Sequence, residues 1–517
     1  MEKIKKFCII LCLITFAVLN GCGYESQKSF DYGSFNTNAV VLGAGRHLAP
    51  GVKDAYYCSK ILQVWEPLIT QGEDGFPKGQ LVENWEMLEN GKEWIFRLRK
   101  GVKFHNGTPF NADAVIKNFD RMSKGTKRSA FYGLDIDNYY PSLKSYEKID
   151  DYTVKLIFGE SNINELYKMM DFGSAMFAPE CFDENENFNG FAIGTGPYKI
   201  KENVLNKYVS IERNDDYYGK KASIKEFIIK NIPNPDIRYS ALKSEEILGV
   251  LDLNAIPPFL AEEVKKDGRF AISTNKSTMV RFLAMNGTRF PFNDVRMRRA
   301  VSLAIDRNNL VNALYLNYAQ PAVNILNYTS PYYKEFKPEY NLILAKQLAY
   351  EVLGNKRAKI VYCINGSDPM QKGEAELIAY WLKDIGLDVE IKPLEYATML
   401  YCLRKGEYDI ARLQQGLPNG DPYSVFYSFL MPQGGRNIST SLGYKNDEVV
   451  KLMEEVCHVE DEDRRMKLYE RIQEIAVNEQ PVVPLFYDIN IVAYNKKINN
   501  YKAMIYGVNL ADVTMGD

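Results

Sequence analysis

Apolar residues are spaced along this chain in three ways, and each spacing predicts a different element. The densest run, Phe7 to Leu19, holds 13 residues behind Lys3, Lys5 and Lys6. It falls short of the roughly 20 residues that span a bilayer and suits the apolar region of a signal peptide. Short apolar or alternating runs predict strands at Ala39 to Gly43, Trp94 to Leu98, Val154 to Phe158 and Tyr408 to Arg412. A further alternation, Leu387, Val389 and Ile391, follows a helix expected over Glu374 to Ile385 that ends at Gly386. The helical period appears after Asn111, a good N-cap, with Val115, Phe119 and Met122 on one face. It returns at Val449, Leu452, Met453 and Val456, and again at Tyr469, Ile472, Ile475 and Ala476. Strands interleaved with helices over this length give an α/β or α+β chain of at least two lobes.

Composition narrows the function more by exclusion than by indication. The net charge is −2, and near −4 once residues 1 to 21 are removed, so neither nucleic acid nor a strongly anionic surface is implied as a partner. Aromatic content is 13%, with Tyr the commonest, which favours amphipathic pocket walls over disorder. Beyond Cys22, the cysteines at 58, 181, 363, 402 and 457 are odd in number and widely spaced, and read as buried thiols. His47, His105 and His458 lie far apart, and no HExxH, GxSxG or Walker A loop occurs. No catalytic residue, metal ligand or cofactor site is therefore expected, and the reading is of a binding protein and not an enzyme.

The apolar N-terminal run ends at Leu19-Asn20-Gly21-Cys22, which resembles a lipoprotein processing site, with Asn20 where a smaller residue is usual. The resemblance implies cleavage before Cys22, lipidation of its sulfur and attachment to a membrane outside the cytoplasm, with Gly23 to Asn38 as a tether.

Five motifs then follow in order. They are the stretch from Val64-Trp65-Glu66-Pro67-Leu68 to Leu81-Val82-Glu83-Asn84-Trp85, and the run Leu98 to Phe110, LRKGVKFHNGTPF. Next come Gly194-Thr195-Gly196-Pro197-Tyr198, then Glu212 to Gly219, and finally Phe290 to Ala300 with Ala304-Ile305-Asp306-Arg307. Read physically, Gly101 and Gly107 flank a short Val-Lys-Phe-His strand, and Gly194 to Pro197 punctuate the entry to another. Asp294 and Asp306 are helix caps, and Arg296, Arg298 and Arg299 form a solvated or ion-paired face.

Together the five resemble the extracytoplasmic solute-binding proteins, family 5, which serve ABC importers of peptides and nickel. The resemblance implies a two-lobed periplasmic-binding-protein-like fold (type II, cluster C) with an extra subdomain inserted in lobe one. Residues 39–65, 193–275 and 485–517 would form lobe one, 66–192 the insertion and 276–484 lobe two, after a signal peptide at 1–21 and a tether at 22–38. The chain would cross between lobes near Phe270 to Phe282 and Pro484 to Val492, and close on its ligand by a hinge. The expected ligand is a short peptide, with a nickel or other metal chelate as the alternative. The expected partners are a permease and an ATPase, and the expected state is a monomer. A peptide-sensing or adhesion lipoprotein without a transporter is the reading from another class.

The ligand would sit between the lobes, against Trp65, Glu66 and Tyr423, with Arg281 and Arg412 as anion-holding candidates. In peptide-binding relatives a lobe-two loop supplies an Asp for the peptide amine. That slot holds Pro418 here, with Asn419 and Asp421 beside it. No His stands between His105 and His458, so the nickel-holding histidine of that branch has no counterpart, and His47 reads as structural.

Overall fold

The computed structural model describes residues 39–50, 55–125, 136–252, 254–417 and 422–516. The expected signal peptide, Cys22 and the tether lie outside them.

Eleven strands form the main sheet. Ten of them are β1 (Val40–Ala44), β2 (Tyr198–Val204), β3 (Tyr208–Arg213), β4 (Glu226–Asn231), β5 (Gly249–Val250), β6 (Phe270–Met285), β7 (Ala358–Asn365), β8 (Leu387–Leu394), β9 (Ile410–Gly416) and β10 (Val482–Asn495). Their order is β2-β3-β4-β1-β5-β10-β6-β9-β7-β8, with Ala319–Pro321 added on β10. β1 lies parallel to β4 and β5, and β7 lies parallel to β8 and β9, so each half has its own parallel centre. The halves are joined by the two longest strands. β6 and β10 pair antiparallel from Phe270↔Asn495 to Lys276↔Ile489, and again from Val280↔Tyr487 to Ala284↔Val482. The register slips between Lys276 and Val280 and again between Arg281 and Phe282.

Each half packs a smaller core of its own beside a larger one that both share, which holds Leu42 and Phe227 as well as Cys363 and Ala411. Leu242, Val250, Leu260 and Ala261 pack beneath the first, and Ile360, Tyr362, Ile378 and Leu382 beneath the second. A separate four-stranded antiparallel sheet, Val82–Leu88, Glu93–Leu98, Thr153–Phe158 and Leu143–Asp150 in spatial order, lies within the segment 66–192. The helix Ala112–Lys124 begins there as its sequence dictates. Asn111 accepts a hydrogen bond from the Ala114 amide at 3.1 Å, and Val115, Phe119 and Met122 are buried. The same holds for Asp447–Val456 and Glu462–Glu479, whose apolar stripes face inward.

Three local expectations change. Val102 to His105 is not a strand but a turn held by a single bridge, Lys103↔Pro109, because Gly101 and Gly107 both adopt positive φ. β9 runs on to Gly416 instead of stopping at Arg412, since Met279 to Met285 of β6 supplies its ladder along that length. Arg298 is not a solvated cation: its guanidinium donates to the carbonyls of Phe292, Glu479 and Gln480. Asp294 and Asp306 do cap their helices, and the five cysteines after Cys22 are free and buried.

Candidate functional site

A cavity of about 900 Å³ opens where Asn275 and Lys276 of β6 and the loop Tyr328–Pro331 face residues 60–80, Asp171, Tyr217 and the segment 504–512. Its volume lies within the range that sites for small ligands occupy.

The first wall is built around Trp65 and Glu66. Trp65 follows the helix Ala55–Ile61, donates Nε1–H to the Tyr56 carbonyl at 2.7 Å, and packs edge-on against Phe172. Lys60 Nζ lies 4.8 Å from the centre of its ring. Glu66 is buried, and four neutral donors hold it. Oε1 accepts from Gln80 Nε2 at 2.6 Å, Tyr217 Oη at 2.8 Å and Tyr218 Oη at 3.0 Å, and Oε2 accepts from Thr195 Oγ1 at 2.8 Å. No Lys, Arg or His among the described residues pairs with it. Burial pushes its carboxyl up, and the four hydrogen bonds oppose that rise. The two phenols are also pushed up, by burial first and then by the carboxylate they face.

Thr195 reaches Glu66 because the chain threads between close neighbours. A Cβ on Gly194 would stand 2.1 Å from the Val64 carbonyl oxygen, and one on Gly196 2.2 Å from that of Gln63. Only glycine permits that approach. His105 pins the same loop from behind, its amide donating to Gly194 O and its Nε2–H to Gly196 O, both at 2.9 Å. Burial lowers the His105 ring to about 4.

The opposite wall is sparser. Lys276 Nζ lies 4.9 Å over the Tyr328 ring, with no carboxylate in ion-pair range among the described residues. Tyr328 donates to the Asp488 carbonyl at 3.3 Å, and the Asp488 carboxylate accepts from Nε and Nη2 of Arg281 in a bidentate pair. Arg281 thus stands behind the wall and not on the cavity surface. Arg412 lies deeper still. It donates to Glu374 at 2.8 Å and 3.1 Å, with Phe486 over its guanidinium and only 3% of its surface exposed. Burial works against its charge, and Glu374 more than offsets that. Tyr423 sits in the helix Pro422–Leu430 beside Tyr427, away from the cavity. Asn419 and Asp421 lie outside the described residues. His47 is bonded to Asn203 at 2.8 Å and does not line the cavity.

The sequence pointed to Trp65 and Glu66 but missed Gln80, Thr195, Tyr217, Tyr218, Lys60, Asp171, Lys276 and Tyr328. A signal existed for part of this set. Thr195 belongs to the Gly194–Tyr198 motif and Tyr217 and Tyr218 to the Glu212–Gly219 motif, and both motifs converge on Glu66. The charges lining the cavity are Glu66, Glu73, Asp74, Asp171 and Asp512 against Lys60, Lys220 and Lys276. Lys60 pairs with Asp171 at 3.0 Å and Lys220 with Asp512 at 3.6 Å, which leaves an excess of two negative charges among the described residues.

The family described as bacterial extracellular solute-binding proteins, family 5 Middle, matches residues 77–437. The chain belongs to this family. Among curated relatives of this family-5 protein, the heme-binding protein A of Haemophilus influenzae is 27% identical, covering 83% of this chain and 82% of its own. The nickel-binding periplasmic protein of Escherichia coli is also 27% identical, over 84% and 86%. The periplasmic oligopeptide-binding protein of Salmonella typhimurium is 25% identical, over 88% and 87%. Among solved structures, NikA from Brucella suis in complex with Fe(III)-EDTA superposes with a TM-score of 0.82 at 24% identity, over 92% of this chain and all of that one. The periplasmic binding protein DppA from Helicobacter pylori in complex with the peptide STSA gives 0.73 at 25%, over 92% and 98%. The mixed α/β fold is therefore that of the two-lobed binding proteins of ABC importers, and this chain is a solute-binding protein of that kind. Its relatives are periplasmic proteins, and among the described residues no helix is long and apolar enough to cross a membrane.

Proposed function

We propose that this protein captures short peptides in the cavity beside Glu66, closes over them by hinge motion about β6 and β10, and presents them to a permease driven by a separate ATPase. The observation that carries the reading is the charge on the cavity walls. A free peptide is zwitterionic, and the cavity offers Lys276 on one wall against Asp171, Glu73 and Asp74 on the other. Tyr217 and Tyr328 give both walls an amphipathic ring, which suits a ligand of mixed polarity. Binding and release need no bond-making, so the protein is read as a receptor without catalysis.

The finer parts of this reading follow the sequence. Cys22 carries the lipid that holds a monomer to the outer face of a membrane. Lobe one comprises 39–65, 193–275 and 485–517, lobe two 276–484, and the segment 66–192 is a subdomain inserted in lobe one. The separate sheet of Val82–Phe158 supports that last division. Hinge closure turns ligand affinity into a signal only if the closed state binds tighter than the open one.

A metal chelate is the second reading, favoured by the nickel- and heme-binding relatives. Among the described residues no group of three His, Cys, Asp or Glu could hold a bare ion, so a metal would arrive already chelated. Native mass spectrometry with metal analysis of gently purified protein separates the two. The peptide reading predicts a ladder of co-purified peptides, and a stoichiometric metal with a small chelator would replace it.

A further inference from the structure

We infer that Asp171 receives the positively charged end of the ligand, so that the cavity selects ligands bearing a free ammonium group. This rests on the peptide reading and assigns the amine to a side chain of the first wall. Asp171 is 6% exposed, and it lines the cavity. Its Oδ1 accepts from Lys60 Nζ at 3.0 Å and from Thr70 Oγ1 at 3.2 Å, and none of the described residues donates to Oδ2. A carboxylate can accept on both oxygens, so an arriving ammonium can be taken without dislodging Lys60. The residue stands at φ +51°, in the left-handed region that Asp enters more readily than most side chains.

The surroundings favour a cation there over an anion. Lys60 is the only Lys or Arg among the described residues paired with Asp171, and it lies against the Trp65 ring. Glu73 and Asp74 line the same cavity without an ion pair among the described residues, and the lining as a whole is net negative. An anionic chelate entering this space would meet repulsion, whereas an ammonium gains from each of these carboxylates. The excess charge also draws a cationic ligand toward the site in a salt-dependent manner.

The test is calorimetric titration of the full-length protein in detergent with Ala-Ala-Ala and with N-acetyl-Ala-Ala-Ala, for wild type, Asp171→Asn and Lys60→Gln. A hydrogen bond to a charged group is worth about 1.5–3 kcal/mol, so Asp171→Asn should weaken the free-amine peptide at least about tenfold. The acetylated peptide should bind wild type weakly and change less than about twofold on the same substitution, the coupling that defines a direct pair. Lys60→Gln leaves the carboxylate and removes the positive charge that offsets it, so it should tighten the free-amine peptide. Should Asp171→Asn fail to fold, this second variant still decides. Equal weakening of both peptides by Asp171→Asn, or a loss of free-amine affinity in Lys60→Gln, would overturn the assignment. Failure of wild type to bind either peptide would overturn the peptide reading beneath it.

Discussion

Glu66 and Glu374 are both buried carboxylates, yet their surroundings differ in kind. Glu374, wholly buried in the second half of the molecule, is neutralised by Arg412 and further bonded by the Tyr315 hydroxyl. Glu66, beside the cavity, is held only by neutral hydroxyls and an amide. The first arrangement closes its charge on itself. The second engages both oxygens while leaving a negative charge uncompensated beside the candidate cavity. A guanidinium–carboxylate pair here fixes the core, and a carboxylate ringed by neutral donors shapes the field of the site.

The contrast can be broken first at its stronger pole. Arg412→Met leaves Glu374 buried and unpaired, which should cost about 3–5 kcal/mol in urea unfolding. Adding Glu374→Leu should restore most of that stability, because two apolar groups replace two charges. Recovery that fails would mean that the pair does more than neutralise.

The Glu66 side has a support that titrates. The His105 ring is held at about 4 by burial, while an unfolded histidine titrates near its usual 6.5. The unfolded chain therefore takes up a proton that the folded one refuses between these values, and stability falls as pH drops from about 6.5 to 4. Because the ring is only part-buried by area, the loss should be roughly 2 kcal/mol and not the full shift. His105→Gln should remove that portion of the acid dependence in a comparison of melting curves at pH 7 and 4.5.

Tyr217→Phe sharpens the comparison directly. It removes one donor from an ionised carboxylate and should cost about 1.5 kcal/mol at neutral pH. Glu66 has a raised carboxyl, so its ionisation opposes folding as pH rises through its titration. The cost of Tyr217→Phe should therefore shrink in acid, where Glu66 is protonated and asks less of its donors. A cost that stays constant with pH would show that the phenol acts by packing alone. The smallest effect serves as a control. Asn446→Ala removes the cap of the helix Asp447–Val456 and a bond to Glu479, involves neither Glu66 nor Glu374, and should cost about 1 kcal/mol without changing ligand affinity.

Much of the fold was legible because local rules and global packing agree. Asn111, Asp294 and Asp306 cap the helices they precede, and Phe119, Met453 and Ile472 face inward as their spacing demands. Element lengths were less legible where a partner strand decides them, as at β9. Of the residues that line the candidate cavity, only Trp65 and Glu66 were expected from the sequence as ligand contacts. Arg281 and Arg412 looked like ligand anchors because a sequence cannot show that Asp488 and Glu374, 207 and 38 positions away, already hold them. Thr195 and Tyr217, 129 and 151 positions from Glu66, were hidden for the same reason. Separate motifs in the chain were one cluster in space.

The most direct test is a crystal structure of the protein carrying whatever it binds when purified gently. An extended peptide is expected in the cavity between the Glu66–Tyr217 wall and Tyr328, with both lobes in contact. Density for a chelated metal or a heme in that space, or a ligand lodged elsewhere, would contradict it.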